Sequence, residues 1–394
     1  MERHSVSVEN TYVRVVRDFE GIEEIRSQWQ DWQGHPNSDL DFCTTIMRSV
    51  PDVIRPHILV LYRGGTPRAM LVGRFENGRI NVKIGYRNVM RIKTRLLTFI
   101  YRGFLGETSV ENAKTLVREI RSSLRQGEAD AAMLSSFALD SPLFRATTEL
   151  SSFVCQDHVP RIDLHRSMLL PGDSDAVLAG LSAKVRKNLK WQAKKIIQEF
   201  GSDVRIRVFR QAAELEEMIR DVEKIAAKTY QRGIGVGFAV NPEMVERLEL
   251  EAKKGWMRTF VLYLGCKPVA FWMGTLYQDI FYSAFMGYDP EYAKHSIGMF
   301  LIMKTIESFC QNSEGDRPQQ IDFGFGDAQY KVVLGNREWS EACAYLFAPS
   351  IKGLGINFIR TPAMLANQMA INLLGKMNLL QKAKKIWRRQ VTDS

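Results

Sequence analysis

The chain has 394 residues, of which 45% are hydrophobic and 25% charged, with a formal net charge of +10. At about 150 residues per domain this length fits two to three domains, and the composition excludes a disordered or collagen-like polymer. No apolar run of about 18 residues occurs, and the polar start (MERHSVSVEN) has no basic-then-apolar leader, so the protein is expected to be cytoplasmic and without a membrane span.

In chain order, the first half reads as a strand at 12–16, a helix at 22–32, a hairpin at 58–76, further strand at 94–104, a helix at 110–124 and a strand at 131–135. The second half opens on a basic helix at 182–200, with Lys184, Arg186, Lys187, Lys190, Lys194 and Lys195 against Glu199. It continues with a strand at 203–209, helices at 212–230 and 241–253, and strands at 258–264, 268–276 and 280–287. A helix at 298–310 and strands at 320–325 and 342–347 complete it. Antiparallel strands come first and a strand-helix-strand crossover follows, which gives an α/β (α+β) fold with mixed, mostly antiparallel sheets flanked by helices, not the alternating order of a Rossmann domain.

The two halves repeat. Val60-Leu-Tyr-Arg-Gly-Gly-Thr-Pro-Arg-Ala-Met-Leu-Val-Gly73 and Val261-Leu-Tyr-Leu-Gly-Cys-Lys-Pro-Val-Ala-Phe-Trp-Met-Gly274 share seven of fourteen positions at an offset of 201. Each is two apolar runs around a Gly-x-x-Pro turn, a hairpin signature. Gly85-Tyr86 and Gly287-Tyr288 extend the match with one residue of slip. A duplicated unit is expected, with lobes at 10–170 and 175–350 and a basic helical tail at 352–394.

In the second lobe, the loop 288–298 leads into a helix whose first turn, Ser296 to Met299, exposes free amides that attract phosphate. In Ile321-Asp-Phe-Gly-Phe-Gly-Asp327 the apolar residues alternate with Asp322, Gly324 and Gly326, so one face packs and the other is small, acidic and open. Ala328-Gln-Tyr-Lys-Val-Val-Leu-Gly335 then presents Tyr330 and Lys331 beside the end of that strand.

These residues carry a resemblance. The order strand, Gly-containing loop, helix, strand and Tyr-Lys-x-x-Leu-Gly looks like the acetyl-CoA core of the GNAT acyltransferase superfamily. Tyr288-Asp-Pro, Ser296-Ile-Gly298, Asp322-Phe-Gly-Phe-Gly-Asp327, Tyr330-Lys331 and the upstream Ser182-x-Lys-x-Arg186-x-Asn188-Leu189 are similar to the bacterial acetyltransferase family linked to cellulose and exopolysaccharide biosynthesis (CelD-like). That family is itself similar to the Fem-type peptidoglycan aminoacyltransferases, which contain two fused GNAT folds.

The resemblance implies acetyl-CoA or another acyl-CoA as donor and an N- or O-acyltransferase acting on an envelope polysaccharide, lipid-linked or amino-containing acceptor. It places the pyrophosphate of coenzyme A on the amides of Ser296, Gly298 and Met299, and an oxyanion-binding amide near Phe285 or Met286 on a strand that splays from its neighbour. Tyr330 falls where the family has its general acid, and Asp322, Asp327, His295 or water are the candidate bases. Arg186, Asn188 and Lys331 are the substrate-binding candidates. The family's phosphate loop reads Gln/Arg-x-x-Gly-x-Gly/Ala; here those positions are Ala293, Ser296 and Gly298, so the first Gly is absent. The first lobe has no such loop and is expected to be structural or acceptor-binding.

From Lys352 onward there are eight Lys/Arg and one acid. Leu365, Met369, Leu373, Met377, Leu380 and Trp387 form an apolar stripe beside Lys382, Lys384, Lys385, Arg388 and Arg389. This tail can lie on an anionic membrane surface, dock an acidic acyl carrier protein, or dock on its own domain. Cys43, Cys155, Cys266, Cys310 and Cys343 are odd in number with no C-x-x-C, and the six histidines are scattered, so no disulfide framework and no metal are expected. The competing readings are an aminoacyl-tRNA-dependent Fem-type enzyme, the one case with a nucleic-acid partner, and a non-catalytic partner of a polysaccharide synthase complex.

Overall fold

The structure is a computed structural model that describes residues 10–84, 87–233, 235, 237–311 and 315–376. Its elements are β1 (Thr11–Val16), α1 (Phe19–Glu24), α2 (Arg26–Trp32), α3 (Leu40–Ser49), β2 (Val53–Pro56), β3 (Ile58–Arg63), β4 (Thr66–Ile84), β5 (Arg87–Gly106), α4 (Val110–Arg125), β6 (Ala131–Ala138) and α5 (Pro142–Leu150). There follow β7 (Arg161–Leu169), α6 (Ser174–Ala179), α7 (Ala183–Phe200), β8 (Val204–Phe209), α8 (Leu215–Ala226), α9 (Tyr230–Gly233), α10 (Pro242–Lys253), β9 (Met257–Leu264), β10 (Lys267–Tyr277) and β11 (Ile280–Tyr288). The last are α11 (Ile297–Gln311), β12 (Gln320–Phe325), α12 (Gln329–Leu334), β13 (Arg337–Phe347) and α13 (Ile351–Lys376).

The described chain divides into two units, residues 10–163 with 340–376, and residues 164–339. In the first, the strand order is β1-β3-β4-β5-β6-β13, with β2 on β4; in the second it is β8-β9-β10-β11-β12-β7. Within each unit the strand pairs are antiparallel except for one parallel pair, β5 with β6 and β11 with β12. The repeated hairpin is the same object twice, down to its irregularity. Leu61 pairs with Ala69 and Tyr62 with Pro67, with a bulge between; Leu262 pairs with Ala270 and Tyr263 with Pro268, again with a bulge between. Gly85-Tyr86, which extended the repeat in sequence, lies outside the described residues.

The final strand of each unit departs from simple chain order. The strand expected at 342–347 in the second lobe pairs instead with β6 of the first unit, through Ala342 with Phe137 to Phe347 with Ala131. Within the second unit the strand beside β12 is β7. α13 also joins the first unit: Arg360 is buried and ion-pairs with Asp157 at 2.5 Å, and Asn357 bonds the carbonyls of Val154 and Gln156. Leu365, Met369 and Leu373 of its apolar stripe are exposed; Met377 and everything after it lie outside the described residues. No helix among the described residues is long and apolar enough to cross a membrane.

Local chemistry accounts for the smaller differences. The helix expected at 22–32 is broken at Ile25 into α1, capped by Asp18, and α2. α10 starts where Asn241 accepts the Met244 amide with Pro242 in the first turn. Cys43 and Cys310 are buried, while Cys266 is exposed at the hairpin turn.

The second unit's core lies between its sheet and α11. Phe281 is fully buried, with Trp272, Phe260 and Phe309 against it at ring centroid distances of 5.1, 6.0 and 5.3 Å. Such a centre cannot collapse around a void, so Phe281→Ala should cost about 3–5 kcal/mol. Urea denaturation of the parent and the variant measures this directly.

Candidate functional site

The site begins where two parallel strands stop pairing. β11 and β12 are in register only from Ile280 with Gln320 to Tyr282 with Asp322. Beyond that, β11 keeps its partner β10 on one side, with a bulge between Met273 and Gly274, and β12 keeps β7 on the other. The strands therefore part at Ser283 and Phe323. Backbone groups on the parted edges have lost their ladder partners and need others.

β12 bends at this point. Its pairing with β7 slips between Asp322 and Gly324, and Gly324 and Gly326 have φ of +68° and +107°, values that disfavour a side chain. A methyl placed on either glycine would meet nothing within 4 Å, so the small face expected from the sequence does open onto space. Asp322, expected on that open face, is instead 7% exposed. His165 of β7 covers it: His165 Nε2 lies 2.6 Å from Asp322 Oδ1, which also accepts the Gly324 amide at 2.7 Å. The imidazole is held between Trp339, stacked at 4.4 Å, and the edge contact of Phe325 at 4.7 Å.

Tyr330 and Lys331 stand on α12 immediately after this strand. The Tyr330 ring is half-buried and packs edge-on against Phe323 at 5.8 Å. Lys331 turns inward. Its ammonium donates to the carbonyls of Phe323 and Phe325 at 2.5 and 2.6 Å, on the part of β12 that β11 has left. Burial pushes its pKa down to about 8, against the pull of Asp322 and with a smaller push from Arg166. Asp327 is exposed at the turn before α12.

The other end of β11 carries the loop. Asp289 caps a short 3-10 turn over 290–295, accepting the Glu291 amide at 3.1 Å and the Lys228 ammonium at 2.6 Å. Burial opposes its ionisation, but Lys228, the amide and Lys267 together hold its carboxyl below the usual range. Ser296 follows in the left-handed region, φ +54° and ψ +38°. That conformation costs a non-glycine residue about 1–2 kcal/mol, which explains why a glycine suits this position and identifies the place where the chain turns into α11. The Ser296 amide donates to Ala293 O at 3.2 Å, so it is engaged within the loop; Ile297, Gly298 and Met299 supply the first-turn amides of α11. Ile297 was not among the residues picked out from the sequence.

α7 lies against this loop. Gln192 Nε2 donates to Ser296 Oγ at 2.9 Å, and His295, nearly buried, packs on Phe200 with Nδ1 3.4 Å from Glu199. A cleft of about 180 Å³ runs beside it, lined by Leu189, Lys190 and Gln192 of α7 and by Met299, Met303 and Lys304 of α11. Arg186 places Nη1 3.4 Å from the carbonyl oxygens of Leu178 and Ala179, at the end of α6, while Asn188 is exposed. Lys195 lies over the Trp191 ring at 5.5 Å.

Asp322, Tyr330 and Lys331 thus gather at the parting of the strands. Phe285 and Met286 lie on the parted stretch of β11, and Ser296, Gly298, Met299 and His295 lie at its far end. His165 and Gln192 are neighbours of these residues that pattern reading passed over, and Asp289 was read only as part of the Tyr288-Asp-Pro motif.

Residues 183–332 match the family described as an acetyltransferase (GNAT) domain, so the second unit carries a GNAT-type acyltransferase domain. The crystal structure of FemX is similar in fold, with a TM-score of 0.51 at 11% identity, covering 84% of this chain and 96% of that one. A conserved protein of unknown function from Bacteroides thetaiotaomicron is similar too, with a TM-score of 0.50 at 9% identity over 85% of this chain and 100% of that one. A tandem GNAT protein from the clavulanic acid biosynthesis pathway reaches a TM-score of 0.48 at 10% identity, covering 86% of this chain and 99% of that one. No curated protein matches the chain.

The Lys331 brace has a pH signature. The folded pKa lies below the usual lysine value of 10.5, so between about pH 8 and 10.5 the unfolded chain binds the proton that the folded chain has released. Stability contributed through this group therefore rises with pH across that window and is least favourable below it. Denaturation of the parent relative to Lys331→Met, at pH 7.5 and at pH 10, should show the parent gaining on the variant at the higher pH.

Proposed function

We propose that the second unit transfers an acyl group, most simply acetyl, from acyl-CoA to an amine or hydroxyl of an envelope polysaccharide, lipid-linked or amino-containing acceptor. One observation supports this above the rest: β11 and β12 part after Tyr282 and Asp322, and the freed stretch 283–288 runs into the loop 289–296 that opens onto the first turn of α11. At about 3.4 Å per residue that stretch spans roughly 20 Å, room for an extended thioester arm with its phosphates on the helix amides. The open space beside Gly324 and Gly326 fits the same occupant.

Acyl-CoA, when bound, supplies the acyl group as a thioester already activated for attack. The protein's residues do the rest. An amide at Phe285 or Met286, on the edge of β11 that β12 has left, donates to the carbonyl oxygen as negative charge develops there. Asp322, oriented by His165, takes the proton that the acceptor nitrogen or oxygen gives up as its bond to the acyl carbon forms. The Tyr330 hydroxyl gives a proton to the sulfur as the carbon–sulfur bond breaks. Lys331 holds the end of β12 in its bent course, and Arg186 holds α6 to α7.

Tyr330→Phe should lower turnover by about 10²-fold or more without lowering the melting temperature. Asp322→Asn should do the same if its carboxylate takes the proton, and unchanged turnover in either variant removes that residue from the mechanism.

Ligand-dependent melting tests the donor. At one hundred times the dissociation constant a ligand that binds only the folded state adds about 2.7 kcal/mol. CoA and acetyl-CoA should raise the melting temperature of the parent by several degrees and leave Gly298→Val unmoved. A rise with bulk tRNA and silence with every acyl-CoA would replace this reading with the aminoacyl-tRNA-dependent one. Silence with all of them would point to a carrier-protein donor or a non-catalytic role.

A further inference from the structure

The first unit carries a charged feature that the acyl-transfer reading leaves unused. β4 and β5 form a long hairpin whose strands are in register at Asn77 with Arg95, Arg79 with Lys93, and Asn81 with Arg91. All six side chains are exposed on one face, and at about 3.4 Å per residue successive rungs are roughly 7 Å apart. The opposite face is buried: Ile80, Val82 and Leu96 lie there with Thr94 and Glu76, and Ile80 and Leu96 pack with Ile356 of α13. The hairpin is thus anchored from behind and presents its cations outward.

The cations are not matched by acids. Arg79 stands directly opposite Lys93, an arrangement that destabilises a bare sheet. Neither of them, nor Arg91, has an ion-pair partner among the described residues. Arg95 and Lys352 both bond the buried carboxylate of Asp130, at 3.0 and 2.6 Å. A cleft of about 340 Å³ opens here, lined by Asp52, Asn77, Arg79, Lys93, Arg95 and Lys352. Four cations against Asp52 on the wall and Asp130 behind it leave an excess of two positive charges. Asn77 adds a polar group at the same level, and the cleft has the size of a small anion with its hydration.

We propose that this cleft binds a phosphate or diphosphate group, with Arg79 and Lys93 as its paired ligands and Arg95 and Lys352 closing it from the side. The group can belong to a soluble phosphorylated molecule or to the headgroup of an anionic lipid; the chemistry of recognition is the same. The like-charged rung is the local instability that an anion relieves.

The experiment uses the full chain, inorganic pyrophosphate and vesicles of phosphatidylcholine with and without phosphatidylglycerol. The key variant is Lys93→Glu, which turns the like-charged rung into a complementary pair and so favours folding. Isothermal titration should show pyrophosphate binding to the parent that weakens with salt, and at least tenfold weaker or missing binding at this site in Lys93→Glu. Without pyrophosphate the variant should melt no lower than the parent. Arg79→Gln, which removes the repulsion without adding a carboxylate, should reproduce the loss. Pyrophosphate binding that both variants lose identifies a soluble phosphate ligand, and vesicle binding that needs phosphatidylglycerol and is lost in both identifies a lipid headgroup. Silence of the parent with both probes overturns the proposal. So does binding of either probe that persists unchanged in both variants, since it then belongs to another part of the chain, such as the first turn of α11.

Discussion

Two parallel strands that stop pairing in the middle of a sheet leave a row of amides and carbonyls with no partner, and a buried backbone cannot leave such groups unsatisfied without loss of stability. The second unit is organised around that constraint. On the β12 side Lys331 reaches back to the carbonyls of Phe323 and Phe325, at the expense of burying an ammonium whose pKa falls to about 8. On the β11 side the edge from Ser283 onward has no strand of β12 beside it. The bend that directs β12 away from its neighbour uses Gly324 and Gly326 at positive φ, and the carboxylate at the apex is held by a histidine from the next strand.

The loop end of β11 is built on a different principle. There the helix amides are kept available while everything around them is tied down: Asp289 to Lys228, Ser296 to Gln192, and His295 against Phe200. Ser296 accepts the left-handed conformation that a glycine would adopt at lower cost, and its hydroxyl anchors α7 over the loop, which glycine could not do. Serine in place of glycine here exchanges backbone freedom for a side-chain contact. It also puts the lysines of α7 on the helix that borders the first turn of α11.

Most of the second unit's strands and helices were legible because their apolar periodicities are strong and their ends are marked by Asn241-Pro242, Asp289-Pro290 and the Gly-x-x-Pro turns. The duplication was legible because the hairpin bulge is set by the same few residues in both copies. β7 was not. Its inward residues are His165 and Ser167, so a buried strand carries polar side chains where alternation looks for apolar ones. For the same reason Asp322 looked open in sequence: the group that covers it lies 157 positions away in the chain. The inward turn of Lys331 was hidden as well, because a lysine beside a tyrosine on a short helix gives no sign of which way it faces. The hairpin of β4 and β5 read as separate strand pieces, since cations alternate with small and β-branched residues there and the apolar signal is thin.

The way the first unit is completed has a consequence for how the protein is made. Its sheet runs from β1 to β6 and then waits for β13, and its helix α13 comes later still, after the whole of the second unit has been synthesised. A nascent chain emerging from the ribosome therefore exposes the edge of β6 for the time needed to translate some two hundred further residues, at about 5–20 residues per second. An unpaired edge is a template for wrong partners. The second unit, contiguous from residue 164 to 339, has no such wait. Birth order and folding order are thus opposed: the half that is made first is the half that can finish only last.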